Sequence, residues 1–174
     1  MRPIRTGQEY MMERAFDKLH IPYLVNQIFC FACNKYYKWS NRMNPDRCPY
    51  GEHPWTELGM FSRPDFLLLG DKNLGVVRVD GAIHDNKKHI VSDRFQVRKF
   101  HDAGVRVFIV RNEHLDGFEV NKQRKRKSVL PTVVPDYIHM SIAYFFWAAL
   151  NSDKIYDTYL QDKEVRIWLG LTSR

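Results

Sequence analysis

Between Asp65 and Val110 the chain alternates apolar runs and breaks in a way that leaves few folds open. Asp65 to Leu69 is a short apolar run, Gly70-Asp71-Lys72-Asn73 supplies turn residues, and Leu74 to Val79 is a second run. The two read as neighbouring strands of a hairpin. Asp85 or Asn86 can cap a helix that runs to about Asp102, and Gly104 terminates it. Val105 to Val110 is then an almost continuous apolar strand. Strand, strand, helix, strand calls for a mixed sheet with a right-handed crossover, an α/β arrangement.

The flanks fit around this unit. Thr6 and Glu9 form a capping box, and Met12, Ala15, Phe16 and Leu19 recur at helical spacing until His20-Ile21-Pro22 closes the helix. Tyr23 to Phe31 reads as one strand leading into a cysteine segment. Cys30 to His53 reads as irregular, broken by Pro45, Pro49 and Gly51. Lys122 to Lys127 is a basic run followed by Pro131 and Pro135, and looks like an exposed connection. Asp136 to Leu150 is a strongly apolar, aromatic helix, and Asp153 to Leu169 is expected to hold another helix and a short strand. The expected organisation is an α/β core over residues 1–120 with an insert at 30–54. Residues 121–174 would then be a basic linker and a C-terminal helical extension packed on that core.

Composition narrows the partner. Hydrophobic residues make up 44% of the 174, enough to bury a core, so a disordered tail is excluded. The longest apolar run, Ser141 to Leu150, is too short to span a bilayer, and no membrane partner is expected. Met1-Arg2-Pro3 leads into the helical pattern without the apolar stretch of a signal peptide, so an intracellular location is expected, in the cytoplasm, nucleoid or nucleus. Twenty-seven Lys and Arg against 20 Asp and Glu give a net charge of +7 and a pI near 9.4. That excess favours a polyanionic partner, most simply nucleic acid.

All three cysteines fall between Cys30 and Cys48, an odd count that argues against a closed disulfide framework. Cys30-x2-Cys33 and Cys48-x4-His53 are two close ligand pairs separated by a loop of fourteen residues. Tetrahedral zinc needs four converging donors, and two such pairs supply them. With Cys30, Cys33, Cys48 and His53 all protein ligands the zinc would be structural, and Glu52 is the substitute if His53 fails.

The acids form a second constellation. Asp65 opens one strand and Asp80 closes the next, so their carboxylates can share Mg²⁺, a hard cation that prefers oxygen ligands. His84 follows nearby and can act as general base, metal ligand or phosphate contact. Asp93 falls in the core-facing stripe of Ile90, Val97 and Phe100. A carboxylate there is costly unless paired or metal-bound, and the simple partners are Arg94, Arg98 or Arg106. Glu9 likewise borders the apolar stripe of the first helix.

Taken in order, Thr6-x-x-Glu9, Arg63-Pro64-Asp65-Phe66, Val77-Arg78-Val79-Asp80-Gly81-x-x-His84 and Asp93-Arg94 leading to Ala103-Gly104-Val105 resemble the PD-(D/E)XK restriction-endonuclease-like superfamily. Within it, the order of acids and histidine is closest to the very short patch repair endonucleases and related homing endonucleases. The similarity covers about residues 6 to 115. It implies a restriction-endonuclease-like mixed sheet flanked by helices. It also implies Mg²⁺-dependent (or Mn²⁺-dependent) hydrolysis of DNA phosphodiesters, with Glu9, Asp65, Asp80, His84 and Asp93 as catalytic residues. Asp93 sits eleven residues before Gly104, which matches the family's helix-to-strand spacing. The chain departs at the D/E-x-K element. With Asp80 as the acid, Ala82 stands in the lysine position; with Asp80 in the lysine position, Arg78 stands in the acid's.

That departure keeps a second expectation open: a non-catalytic, zinc-containing DNA-binding protein on a degenerate nuclease fold. Under either, Lys87, Lys88, Lys122, Arg124, Lys125, Arg126 and Lys127 are the expected DNA contacts. Tyr137, Ile138, Tyr144, Phe145, Phe146 and Trp147 put apolar surface on more than one side of their helix, which leaves a homodimer open as well.

Overall fold

A computed structural model describes residues 7–40, 47–49, 51, 54, 60–80, 87–111 and 136–171. In chain order its elements are α1 (Gly7–Lys18), β1 (Tyr23–Leu24), β2 (Gln27–Cys30), β3 (Lys35–Lys38), β4 (Phe61–Ser62), β5 (Phe66–Leu69) and β6 (Leu74–Asp80), then α2 (Lys87–Asp102), β7 (Arg106–Arg111), α3 (Asp136–Asn151), α4 (Asp153–Gln161) and α5 (Lys163–Trp168).

The expected hairpin lies at the centre of the main sheet. β5 and β6 run antiparallel with Phe66 opposite Val77 and Leu69 opposite Leu74. β7, reached through α2, joins β6 in parallel, and β1 pairs antiparallel with β5 on the other side. The order β1-β5-β6-β7 is thus a mixed sheet.

Strand periodicity divides the core in two. Phe66, Leu68, Val77, Val79, Phe108 and Val110 point to one face, where Met12 and Phe16 of α1 and Phe146 and Leu150 of α3 cover them. Leu67, Val76, Val107 and Ile109 point to the other, against Val97 and Phe100 of α2 and Val165 and Leu169. Each of these strands is buried on both sides, which is why the sequence shows continuous apolar runs rather than alternation.

Helix ends follow local chemistry. α1 closes with Ile21 N–H on the Phe16 carbonyl (3.0 Å) and His20 N–H on that of Asp17 (3.2 Å), with His20 left-handed at φ 52°. α2 ends the same way through Val105 and Gly104 (φ 75°), where glycine removes the Cβ penalty of that conformation.

Three expectations about secondary structure need correction. Tyr23 to Phe31 is not one strand: left-handed Asn26 (φ 55°) breaks it, and its carbonyl accepts the Trp39 N–H at 2.7 Å. β1 therefore stays in the main sheet while β2 starts another. The cysteine segment is not wholly irregular either, because β3 lies within it and pairs antiparallel with β2, which β4 joins on its other side in a second sheet ordered β3-β2-β4. Residues 153–168 hold two helices and no strand. Ser152 caps α4 by accepting from Ile155 N–H, and Asp162 caps α5 by accepting from Glu164 and Val165.

Candidate metal centre and acidic site

The second sheet builds the cysteine site. Buried Cys30 is the last residue of β2, Cys33 lies in the turn that follows, and left-handed Asn34 (φ 53°) sends the chain back as β3. Cys48 comes from the far side of the insert and is also buried. The three Sγ atoms lie within 4.8 Å of one another, a set that can hold a metal ion. Cys33 and Cys48 are separated by 3.8 Å between sulfurs and all three are free thiols. The edge of a tetrahedron with Zn–S bonds of about 2.3 Å is about 3.8 Å. Ile28 and Tyr37 complete the small apolar cluster that encloses the sulfurs.

Electrostatics favour the neutral thiol of Cys33 until a cation arrives. Burial, with hydrogen bonds to the Cys30 and Cys48 sulfurs, pushes Cys33 up to about 11. The Tyr37 hydroxyl donates to Cys48 Sγ at 3.7 Å, and burial first, then Cys48, raises its own pKa far above the usual phenol value. A donor aimed at a sulfur is the kind of outer partner that steadies a thiolate once it is metal-bound. The proposed fourth ligand His53, and its substitute Glu52, lie outside the described residues.

The acidic site gathers along the last residues of β6. Asp65, half-buried just before β5, accepts the Val79 N–H on Oδ2 at 2.7 Å. One residue earlier, Arg78 Nη2 meets Asp93 Oδ1 at 2.6 Å, while its Nη1 donates to the Asp93 carbonyl at 3.3 Å. Both side chains are largely covered, at 12% and 20% exposure. Asp93 therefore pairs with an arginine on the neighbouring strand, which the helix pattern did not suggest. Arg106 is engaged elsewhere, with the Ala149 carbonyl at 2.5 Å and with Asp153. Asp80 follows directly as the last residue of β6, in register with Arg111 of β7. Asp65 and Asp93 are thus tied to Val79 and Arg78, the two residues that precede Asp80 on β6.

Glu9 lies in the first turn of α1, half-buried. Beside it, buried Gln8 shares a 3.0 Å hydrogen bond with fully buried His139 of α3, which pins the start of α1. His84 and Lys122, Arg124, Lys125, Arg126 and Lys127 lie outside the described residues; Lys87 and Lys88 open α2. On α3, Tyr137 and Tyr144 are about two-thirds exposed and Phe145 is also exposed, beside a groove of about 540 Å³ lined by Ile109, Ile142 and Tyr159. Among the described residues no helix is long and apolar enough to cross a membrane.

Pattern reading missed Tyr37 and Arg78 as partners of site residues. Arg78 carried a signal, since a cation between Val77 and Val79 of a buried strand needs a counter-charge. Comparison with protein families, curated proteins and solved structures returns no match.

Proposed function

We propose that the chain is a metal-dependent DNA endonuclease carrying a structural zinc in its insert. The observation behind this reading is the Asp65–Val79 hydrogen bond, which holds a half-buried carboxylate in one orientation beside the backbone that leads into Asp80. A mixed sheet with helices on both faces is also the architecture the PD-(D/E)XK resemblance implies.

The donor set fits the two ions differently. Carboxylates at the end of β6 suit a hard divalent cation, and three thiols at tetrahedral spacing suit zinc. Asp65 and Asp80 would hold Mg²⁺ or Mn²⁺, which when bound lowers the pKa of water and offsets charge on a phosphate. Val79 N–H fixes the Asp65 carboxylate before any ligand arrives. Arg78 holds Asp93 against β6, so the geometry of that carboxylate is set by the strand. His84 would take a proton or hold a phosphate oxygen. Glu9 would act from the α1 side. Cys30, Cys33, Cys48 and His53 would keep the insert folded.

A second reading rests on the same ion pair. A guanidinium neutralising Asp93 is also what a degenerate, purely DNA-binding site would contain. Plasmid cleavage with Mg²⁺ separates the two. The nuclease reading requires cleavage by the wild type and a loss of at least about 100-fold in Asp65→Ala. Equal activity in both proteins would remove Asp65 from the site, and no cleavage by the wild type would favour the binder.

A further inference from the structure

The three cysteines of the insert are not equivalent. Cys30 ends β2 and is held in ladders on both sides, opposite Lys35 of β3 and Phe61 of β4, with its side chain fully buried. Cys33 and Cys48 lie outside the strands, Cys33 in the turn after β2 and Cys48 next to Arg47. Cys48 is buried and Cys33 half-buried, so Cys33 is the sulfur that solvent reaches.

The sulfurs of Cys33 and Cys48 are 3.8 Å apart, in hydrogen-bonding contact. A disulfide bond is about 2.05 Å long. Closing the gap asks for movement of a turn residue and not of a strand. Cys33 also hydrogen-bonds the Cys30 sulfur, so two bridges are open to it. A bridge to Cys48 encloses fourteen residues and one to Cys30 only two. The longer loop gives the more stabilising crosslink, because it removes more freedom from the unfolded chain.

We propose that Cys33 and Cys48 are a redox pair that exchanges the bound cation for a disulfide and leaves Cys30 as a free thiol. The inference deepens the zinc reading of the insert and rests on it for the cation. A coordinated cysteine sulfur is a thiolate. The oxidant is a hydroperoxide. Cys33 sulfur attacks the outer oxygen of the peroxide and breaks its O–O bond, giving a sulfenic acid and an alcohol, or water from hydrogen peroxide. Cys48 sulfur then attacks Cys33 sulfur, and the S–S bond forms as the hydroxyl leaves as water. Each step takes up one proton, and the two thiolates together give two electrons to the peroxide. With two of its three sulfurs in a covalent bond, the cluster no longer holds the cation. The bridge then keeps the insert closed in its place.

The test adds hydrogen peroxide to the zinc-loaded full chain beside a chromophoric chelator. Zinc release should keep pace with the loss of two thiols per chain. Peptide mass mapping should find Cys33 joined to Cys48 and Cys30 open to alkylation, and dithiothreitol should restore zinc binding. Cys30→Ser should still form the bridge and Cys33→Ser should not. The oxidised, zinc-free chain should melt higher than the reduced, zinc-free chain. A Cys30–Cys33 bridge, a crosslink between chains, sulfinic acid without a bridge, or zinc release with all thiols intact each overturns the proposal. Peroxide treatment without metal separates the two readings. A Cys33–Cys48 bridge in a chain that never takes up zinc sustains the redox pair and removes the zinc, and zinc uptake without a bridge does the reverse.

Discussion

The backbone N–H of Val107 donates to the Tyr156 hydroxyl at 3.1 Å, and two residues on Ile109 N–H reaches the Tyr159 hydroxyl at 3.3 Å. β7 is the last strand of the main sheet, so these N–H groups would otherwise form an open edge able to pair with another chain. α4 supplies acceptors in place of a fifth strand. Arg106, whose guanidinium lies 4.8 Å above the Tyr156 ring, holds that tyrosine from the side.

Replacing both tyrosines with Phe keeps the packing and removes two acceptors. Each N–H left without a partner should cost about 1–3 kcal/mol, read as a lower urea midpoint at unchanged m. Burial raises the pKa of both phenols above the ordinary value near 10. Their contribution is therefore complete below about pH 10 and is lost as pH rises further, because the unfolded chain ionises first. The double Phe variant should show a shallower fall in stability above pH 10; an identical slope would contradict the assignment.

Arg78 and Asp93 offer a double-mutant cycle. Arg78→Met should cost about 1–3 kcal/mol, since it takes a guanidinium away from a mostly covered carboxylate. Arg78→Met combined with Asp93→Leu should recover much of that, because replacing both partners of a covered ion pair with apolar groups is often neutral. Additive losses in a denaturant series would show that the two side chains do not act as a pair.

Metal uptake by the cysteine cluster should release protons. Three thiols are available, and Cys33 is held protonated near neutrality with a pKa of about 11. Each proton displaced makes affinity rise about tenfold per pH unit below the thiol pKa, so zinc should bind more weakly as pH falls. Competition with a chromophoric chelator between roughly pH 6 and 8 measures the slope. A pH-independent affinity would exclude thiolate ligation.

Gly70 should not tolerate a side chain. An alanine Cβ there would sit 2.8 Å from Leu150 Cγ and 2.9 Å from the Asn73 carbonyl, which is backbone and cannot yield. The same turn holds the end of α3, through Asn73 Nδ2 on the Leu150 carbonyl (3.0 Å) and Asp71 N–H on Asn151 Oδ1 (2.9 Å). Gly70→Ala should cost about 1–3 kcal/mol by thermal denaturation.

The central hairpin, α2 and β7 were readable because their signals are local: a turn between two apolar runs, a glycine stop, a continuous buried strand. Asn26 defeated the reading of Tyr23 to Phe31, since the aromatic run looks unbroken and only the left-handed asparagine sends its halves to different sheets. β3 was hidden for a similar reason. Its Lys-Tyr-Tyr-Lys pattern has only one inward residue, and its pairing partner β2 sits inside what reads as one longer strand. At the acidic site the placement of Asp65 beside the end of β6 followed from the hairpin register. The Arg78–Asp93 pair did not, because helix periodicity says nothing about which strand residue lies beneath it.

The interruption between β1 and β5 has a kinetic side. Tyr23 pairs with Leu68, yet the whole second sheet lies between them along the chain. Closing so long a loop costs entropy before the pairing returns any stability. A cation gathering Cys30, Cys33 and Cys48 early would shorten that loop and bring β1 near its partner. The cluster would then set the order of assembly, with the insert folding first and the main sheet closing around it.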